Sequence, residues 1–157
     1  MKKSFQLVAL PHEQFASMFA KSDAELKAIG ARRLVVDTSP GFPCRVSLTD
    51  AAVGETVLLL SFAHHDVDSP YRASGPIFVR ERARTAEPGV DDIPTMFRHR
   101  QLSIRGYDAA STLIAAEVFQ GNELEVVIRR LFDDANVAYQ HIHNAGPGCF
   151  NCSVKRA

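Results

Sequence analysis

The last nineteen residues, "YQHIHNAGPGCFNCSVKRA" (139–157), hold the densest group of side chains able to do chemistry: His141, His143, Cys149 and Cys152, set around a Gly-Pro-Gly turn. A Cys-x-x-Cys pair can exchange disulfides, imidazole and thiolate can ligate zinc, and a thiol beside an imidazole can act as a nucleophile. If the segment is a hairpin with His143 opposite Cys149, then His141 faces Asn151 and Tyr139 faces Ser153. Side chains alternate along a strand, so Tyr139, His141, His143, Cys149, Asn151 and Ser153 would share a polar face. Ala138, Ile142, Phe150, Cys152 and Val154 would form the other, apolar apart from Gln140. Cys149 and Cys152 then point apart, and only five residues follow Cys152, too few for the helix N-terminus that activates a dithiol. Cys152 is therefore expected in the core. His-x-His with one cysteine lacks the paired spacing of a metal motif. No metal and no cofactor are expected, and folding should not depend on one.

Two other stretches carry reactive groups. In "PCR", Cys44 adjoins Arg45, and a cation beside a thiol favours the thiolate; the alternative is a buried thiol at the start of a strand. In "HHDVDSPYRAS", His64, Asp66 and Asp68 offer acid–base groups, while Tyr71, Arg72 and Ser74 offer donors to a carboxylate or phosphate. The alternative is a turn-rich loop in which Arg72 pairs with a local acid. Together these residues suggest one polar pocket for a small, anionic ligand. The loop (His64, Asp68, Tyr71, Arg72, Ser74) and the hairpin (His141, His143, Asn144, Cys149) would build it, with Arg45 as a further ligand-binding residue. An enzyme version would use Cys44 or Cys149 as nucleophile and His64, His141 or His143 as base, for hydrolysis or acyl transfer. A third reading is a protein-interaction module built on Arg80, Arg82, Arg84, Arg98, Arg100 and Arg105.

Composition limits the partners. The 157 residues are 46% hydrophobic and 23% charged, which suits one globular domain spanning 1–157. Eighteen basic and eighteen acidic residues cancel, so no global field favours nucleic acid or an anionic membrane. Thirteen of the basic residues are Arg, the side chain suited to bidentate contact with acids. The apolar run after the two N-terminal lysines is too short for a signal-peptide core, and no stretch approaches a membrane span. Three cysteines, an odd number, argue against a disulfide framework, so a soluble cytoplasmic protein is expected. Oligomeric state is not legible.

The elements that must position these residues follow from periodicity. Strands are expected at "SFQLVAL", "RRLVVD", "ETVLLLSFA", "RQLSIRGYD" and "STLIAAEVF". The continuous apolar run of the third suggests burial on both faces. In "PIFVRERAR" alternation would place Arg80, Arg82 and Arg84 on one face. "HEQFASMF" and "SDAELKAIG" read as helices, the second with a capping box from Ser22 to Glu25. "NELEVVIRRLFDDA" is the clearest helix, capped by Asn122, with Leu124, Val127, Ile128, Leu131 and Phe132 on one side. "TAEPGVDDIPT" is a polar, mobile loop. The sum is an α+β fold: a single domain whose largely antiparallel or mixed sheet is covered by two or three helices.

With these elements placed, the chain resembles a bacterial family, domain of unknown function 1203 (DUF1203). The resemblance lies in "GFPCRVSLTDAAVGETVLLLSF" (41–62), "DSPYRASGPIFVRE" (68–81), "IRGYDA" and "HIHNAGPGCF" (141–150). It implies one compact domain and carries no activity, cofactor or functional residue with it.

Overall fold

The helix read most clearly from the sequence is also the centre of the larger core. A computed structural model describes residues 2–157. In chain order it contains β1 (Phe5–Val8), α1 (Asp23–Ala28), β2 (Arg32–Val35), β3 (Thr56–His65), β4 (Ala73–Arg80), β5 (Gln101–Tyr107), β6 (Leu113–Gln120), α2 (Leu124–Phe132), β7 (Tyr139–Asn144) and β8 (Phe150–Arg156). β1, β8, β7, β5 and β6 form a five-stranded sheet in that order, and β2, β3 and β4 form a second sheet. All of these strand pairs are antiparallel. The α+β expectation therefore holds, with two sheets instead of one.

α2 buries Leu124, Val127, Ile128, Leu131 and Phe132. They pack with Phe5, Leu102, Ile104, Ile142, Cys152 and Val154 of the five-stranded sheet. Burying such side chains contributes about 1.5–3 kcal/mol each, so this face anchors the fold. Asn122 does not cap the helix. It lies in a turn of 3-10 helix, Gly121–Glu123, that leads into α2. The second sheet has its own core, in which Phe15, Leu26, Leu58, Ile77 and Val79 meet Cys44 and Val46. α1 closes one end of it through the expected capping box: Ser22 Oγ accepts from Glu25 N at 3.2 Å, and Glu25 Oε1 accepts from Ser22 N at 3.0 Å.

Other expectations need correction. "HEQFASMF" forms two short 3-10 turns, His12–Gln14 and Ala16–Ala20, instead of one helix. β4 ends at Arg80, so Arg82 and Arg84 lie beyond the strand and do not share its face. The expected mobile loop is tied down: Phe5 N donates to Asp91 Oδ1 at 3.1 Å, and Pro88 and Ile93 are buried.

The tail is the hairpin expected, in a different register. His141 pairs with Ser153 and Ile142 with Cys152, whereas His143 pairs with Phe150. One residue, Asn151, is therefore extra on β8, a β-bulge. The bulge breaks alternation, so Phe150 joins the histidine face while Cys152 stays in the core, fully buried.

Candidate functional site

The two sheets leave a cleft of about 600 Å³ between the hairpin turn and the outer side of the second sheet. Leu59 of β3, Pro76 and Phe78 of β4, Pro40, Pro43 and Pro147 make it mainly apolar, while Arg45, Arg100, Asn144 and Cys149 supply the polar part. Arg45 is the key residue. It sits in the connection from β2 to β3, held by Arg45 N donating to Phe78 O at 3.1 Å and Leu10 N donating to Arg45 O at 3.0 Å.

The Arg45 side chain is 0% exposed. Nε donates to Phe150 O at 2.7 Å, Nη1 to Pro43 O, and Nη2 to Cys149 Sγ at 3.2 Å. No carboxylate pairs with it among the described residues. Burial pulls its pKa down from the usual arginine value, Cys149 and Cys44 push it back up, and Arg100 adds to the lowering. Asn144 Nδ2 donates to the same sulfur at 3.4 Å, and its Oδ1 is held by Asn151 Nδ2 at 2.8 Å. The bulged residue thus orients the amide that faces Cys149. On another wall Asp50 receives both Arg100, in a bidentate pair, and His99 Nε2 at 3.0 Å.

His64, His141 and His143 do come together, but in a second place. The face of the five-stranded sheet away from α2 carries His141 and His143. His64, from the end of β3, stacks on Phe150 at 5.2 Å between ring centroids, and its centroid lies 5.1 Å from that of His143 and 6.3 Å from that of His141. His65 lies beside them, bonded through Nδ1 to Tyr71 O at 2.7 Å and through Nε2 to Tyr139 Oη at 2.6 Å. Burial, reinforced by Arg105 and by neighbouring imidazoles, lowers His64 to about 4 and His141 and His143 to about 3. At neutral pH these three rings are uncharged. Among the described residues no group of three or more His, Cys, Asp or Glu side chains is arranged to hold a metal ion.

The expected single pocket is therefore divided. Arg45, Asn144 and Cys149 line the cleft; His64, His141 and His143 do not. The bulge explains the division, since Cys149 meets Arg45 and Asn144 instead of sharing the histidine face. Asp68 and Ser74 are exposed, and Arg72 pairs with Asp66 on the surface, 70% and 63% exposed. Tyr71 approaches the histidines only through its carbonyl. Cys44 is buried in the smaller core, its sulfur accepting from Ser47 N and Arg80 N. The arginine set is partly neutralised: Arg80 pairs with Glu55 and Arg100 with Asp50. Sequence reasoning missed Leu59, Pro76, Phe78 and His99 as cleft residues, because nothing local marks a wall built from two sheets.

Among the described residues no helix is long and apolar enough to cross a membrane. No curated protein and no solved structure matches the chain. The sequence model of the family described as "Protein of unknown function (DUF1203)" matches residues 41–156, and the chain belongs to that family. Arg45, Asn144, Cys149 and the three clustered histidines all fall inside the matched span.

Proposed function

We propose that this DUF1203 chain binds a small organic anion in the cleft, with the acid group at Arg45 and the carbon skeleton against Leu59, Pro76 and Phe78. One observation carries the reading: Arg45 is a fully buried cation with no carboxylate partner among the described residues, in a cleft whose walls are mainly apolar. A buried charge ordinarily finds a counter-charge. Three of the five N–H groups a guanidinium offers are used, on two carbonyls and a sulfur. A carboxylate or phosphate in the cleft would supply the missing charge and meet Asn144 as a second donor. Apolar walls with a few polar groups at one end are the usual makeup of small-ligand sites.

A second reading rests on Cys149, a cysteine that lines the cleft between two N–H donors. It would attack an electrophilic ligand. A histidine base is not part of that reading, since no hydrogen bond joins an imidazole to Cys149 among the described residues.

The test is a thermal-shift screen of carboxylates and phosphate esters with apolar bodies, against neutral isosteres. A binder at 100 times its Kd adds about 2.7 kcal/mol to stability. Gln101→Glu, at an exposed position on the cleft rim, should weaken every such binder without lowering apo stability. Binders insensitive to Gln101→Glu, or equal stabilisation by neutral isosteres, would refute the assignment.

A further inference from the structure

We infer that the histidine face of the five-stranded sheet, separate from the cleft, is a second anion site centred on Arg105 that takes an oxyanion still carrying a hydroxyl, hydrogenphosphate being the simplest. Cross-strand register places Ser103 opposite His143, Arg105 opposite His141 and Tyr107 opposite Tyr139, so these six share one face. His64 is laid onto that face from β3.

Two anomalies coincide there. His64 Nδ1 and Nε2, His141 Nδ1 and His143 Nε2 are buried and have no hydrogen-bond partner, although buried polar atoms are nearly always satisfied. His65, next in the chain to His64, has both nitrogens bonded, so the vacancy is not a general property of the cluster. The second anomaly is Arg105. Of the arginines that are not fully exposed, Arg33, Arg45, Arg80, Arg100 and Arg129 each donate hydrogen bonds. Arg105, partly buried, meets only the Tyr107 hydroxyl and has no ion pair among the described residues. The charges acting on His64, His141 and His143 are cationic or come from other imidazoles, and no carboxylate is among them.

An unmatched cation beside neutral imidazoles is suited to an anion and unsuited to a metal cation. The donors and acceptors specify it further. His143 Nδ1 lies 3.0 Å from Gly148 O, so it carries the ring proton and leaves Nε2 as a lone pair. His64 and His141 each keep one N–H to give, and Arg105 gives its fork. The donors are the Arg105 fork and one N–H each of His64 and His141, and the acceptors are His143 Nε2 and the second His64 nitrogen. Hydrogenphosphate matches them, because its P–OH donates to His143 Nε2 while its other oxygens accept. Sulfate, with no proton at neutral pH, leaves His143 Nε2 unpaired.

Titration of inorganic phosphate and of sulfate at constant ionic strength, followed by calorimetry and by the ring resonances of His64, His141 and His143, tests this. Phosphate should bind once per chain and shift all three rings, with sulfate about tenfold weaker or more, since a site built to pair a hydroxyl rejects an analogue without one. Arg105→Gln should weaken phosphate by about tenfold or more. His64→Phe, which keeps the stacking on Phe150, should weaken it while the chain stays folded. Gln101→Glu, at the cleft, should leave phosphate binding unchanged. Equal binding of phosphate and sulfate, indifference to Arg105→Gln, or ordering of the three histidines by Zn²⁺ in place of phosphate would overturn the proposal.

Discussion

The Arg45 guanidinium donates to the Cys149 sulfur at 3.2 Å across 104 positions of sequence. This contact ties the β2–β3 connection of the second sheet to the hairpin turn of the first. It gives Cys149 surroundings quite unlike those of the other two cysteines.

Thiol reactivity should separate accordingly. Cys149 is partly exposed in the cleft, whereas Cys44 and Cys152 are 0% exposed. Burial pushes the Cys152 thiol far above the ordinary cysteine range. Native protein treated with iodoacetamide should carry one label, at Cys149 by peptide mass mapping. Comparable labelling of Cys152 under native conditions would contradict the hairpin as described.

Acid should weaken the fold before the carboxylates titrate. His64, His141 and His143 fall from 6.5 to about 4, 3 and 3 in the folded chain. Unfolded chains take up protons below about pH 6.5 and the folded chain resists, so stability is full above that value and declines toward pH 4. Each histidine contributes at most about 1.4 kcal/mol per pH unit. Urea midpoints at pH 7.5, 6 and 5 should descend, and His141→Phe should flatten the descent. A level profile over this window is the contrary result.

Arg72 should prove dispensable. Its partner is Asp66, and both are well exposed, where an ion pair contributes about 0–1 kcal/mol. Arg72→Ala should alter stability by no more than about 0.5 kcal/mol and leave cleft binding intact. A clear loss of ligand stabilisation would restore the β3–β4 loop to the site.

Gly121 should not tolerate alanine. A Cβ there would lie 1.8 Å from Phe97 O and 2.8 Å from Arg100 O, both backbone atoms, and Gly121 N donates to Arg100 O at 2.7 Å. Gly121→Ala should cost about 3 kcal/mol or more. Because it displaces Arg100, it should also weaken cleft ligands in whatever fraction remains folded. A mild effect in chemical denaturation would mean that the 97–100 segment yields easily.

Local signals were readable in the sequence and long-range ones were not. The apolar face of α2, the Ser22–Glu25 capping box and the core position of Cys152 follow from spacing alone, because each depends on residues a few positions apart. Alternation placed His141 and His143 on one face correctly. It could not reveal the bulge at Asn151, since an extra residue leaves no mark in a pattern of period two. Adjacency in sequence links Arg45 to Cys44, yet its side chain reaches Phe150 O and Cys149 Sγ. Spacing alone sets Arg105 among the other arginines, and only the β5–β7 register brings it to the histidines.

The bulge sends three successive residues to three destinations: Phe150 to the histidine face, Asn151 to Asn144 beside the cleft, and Cys152 to the core. Segment length is consequently constrained more tightly there than residue identity. Within 145–148 only Gly146 has no part in either site, since Pro147 lines the cleft, Gly148 O holds His143 Nδ1 and Ala145 N donates to Gln101 O. Removing one between 149 and 152 would shift the frame of both polar sites and the core in a single event, so the length of the tail is constrained from Cys149 to Cys152 as a unit.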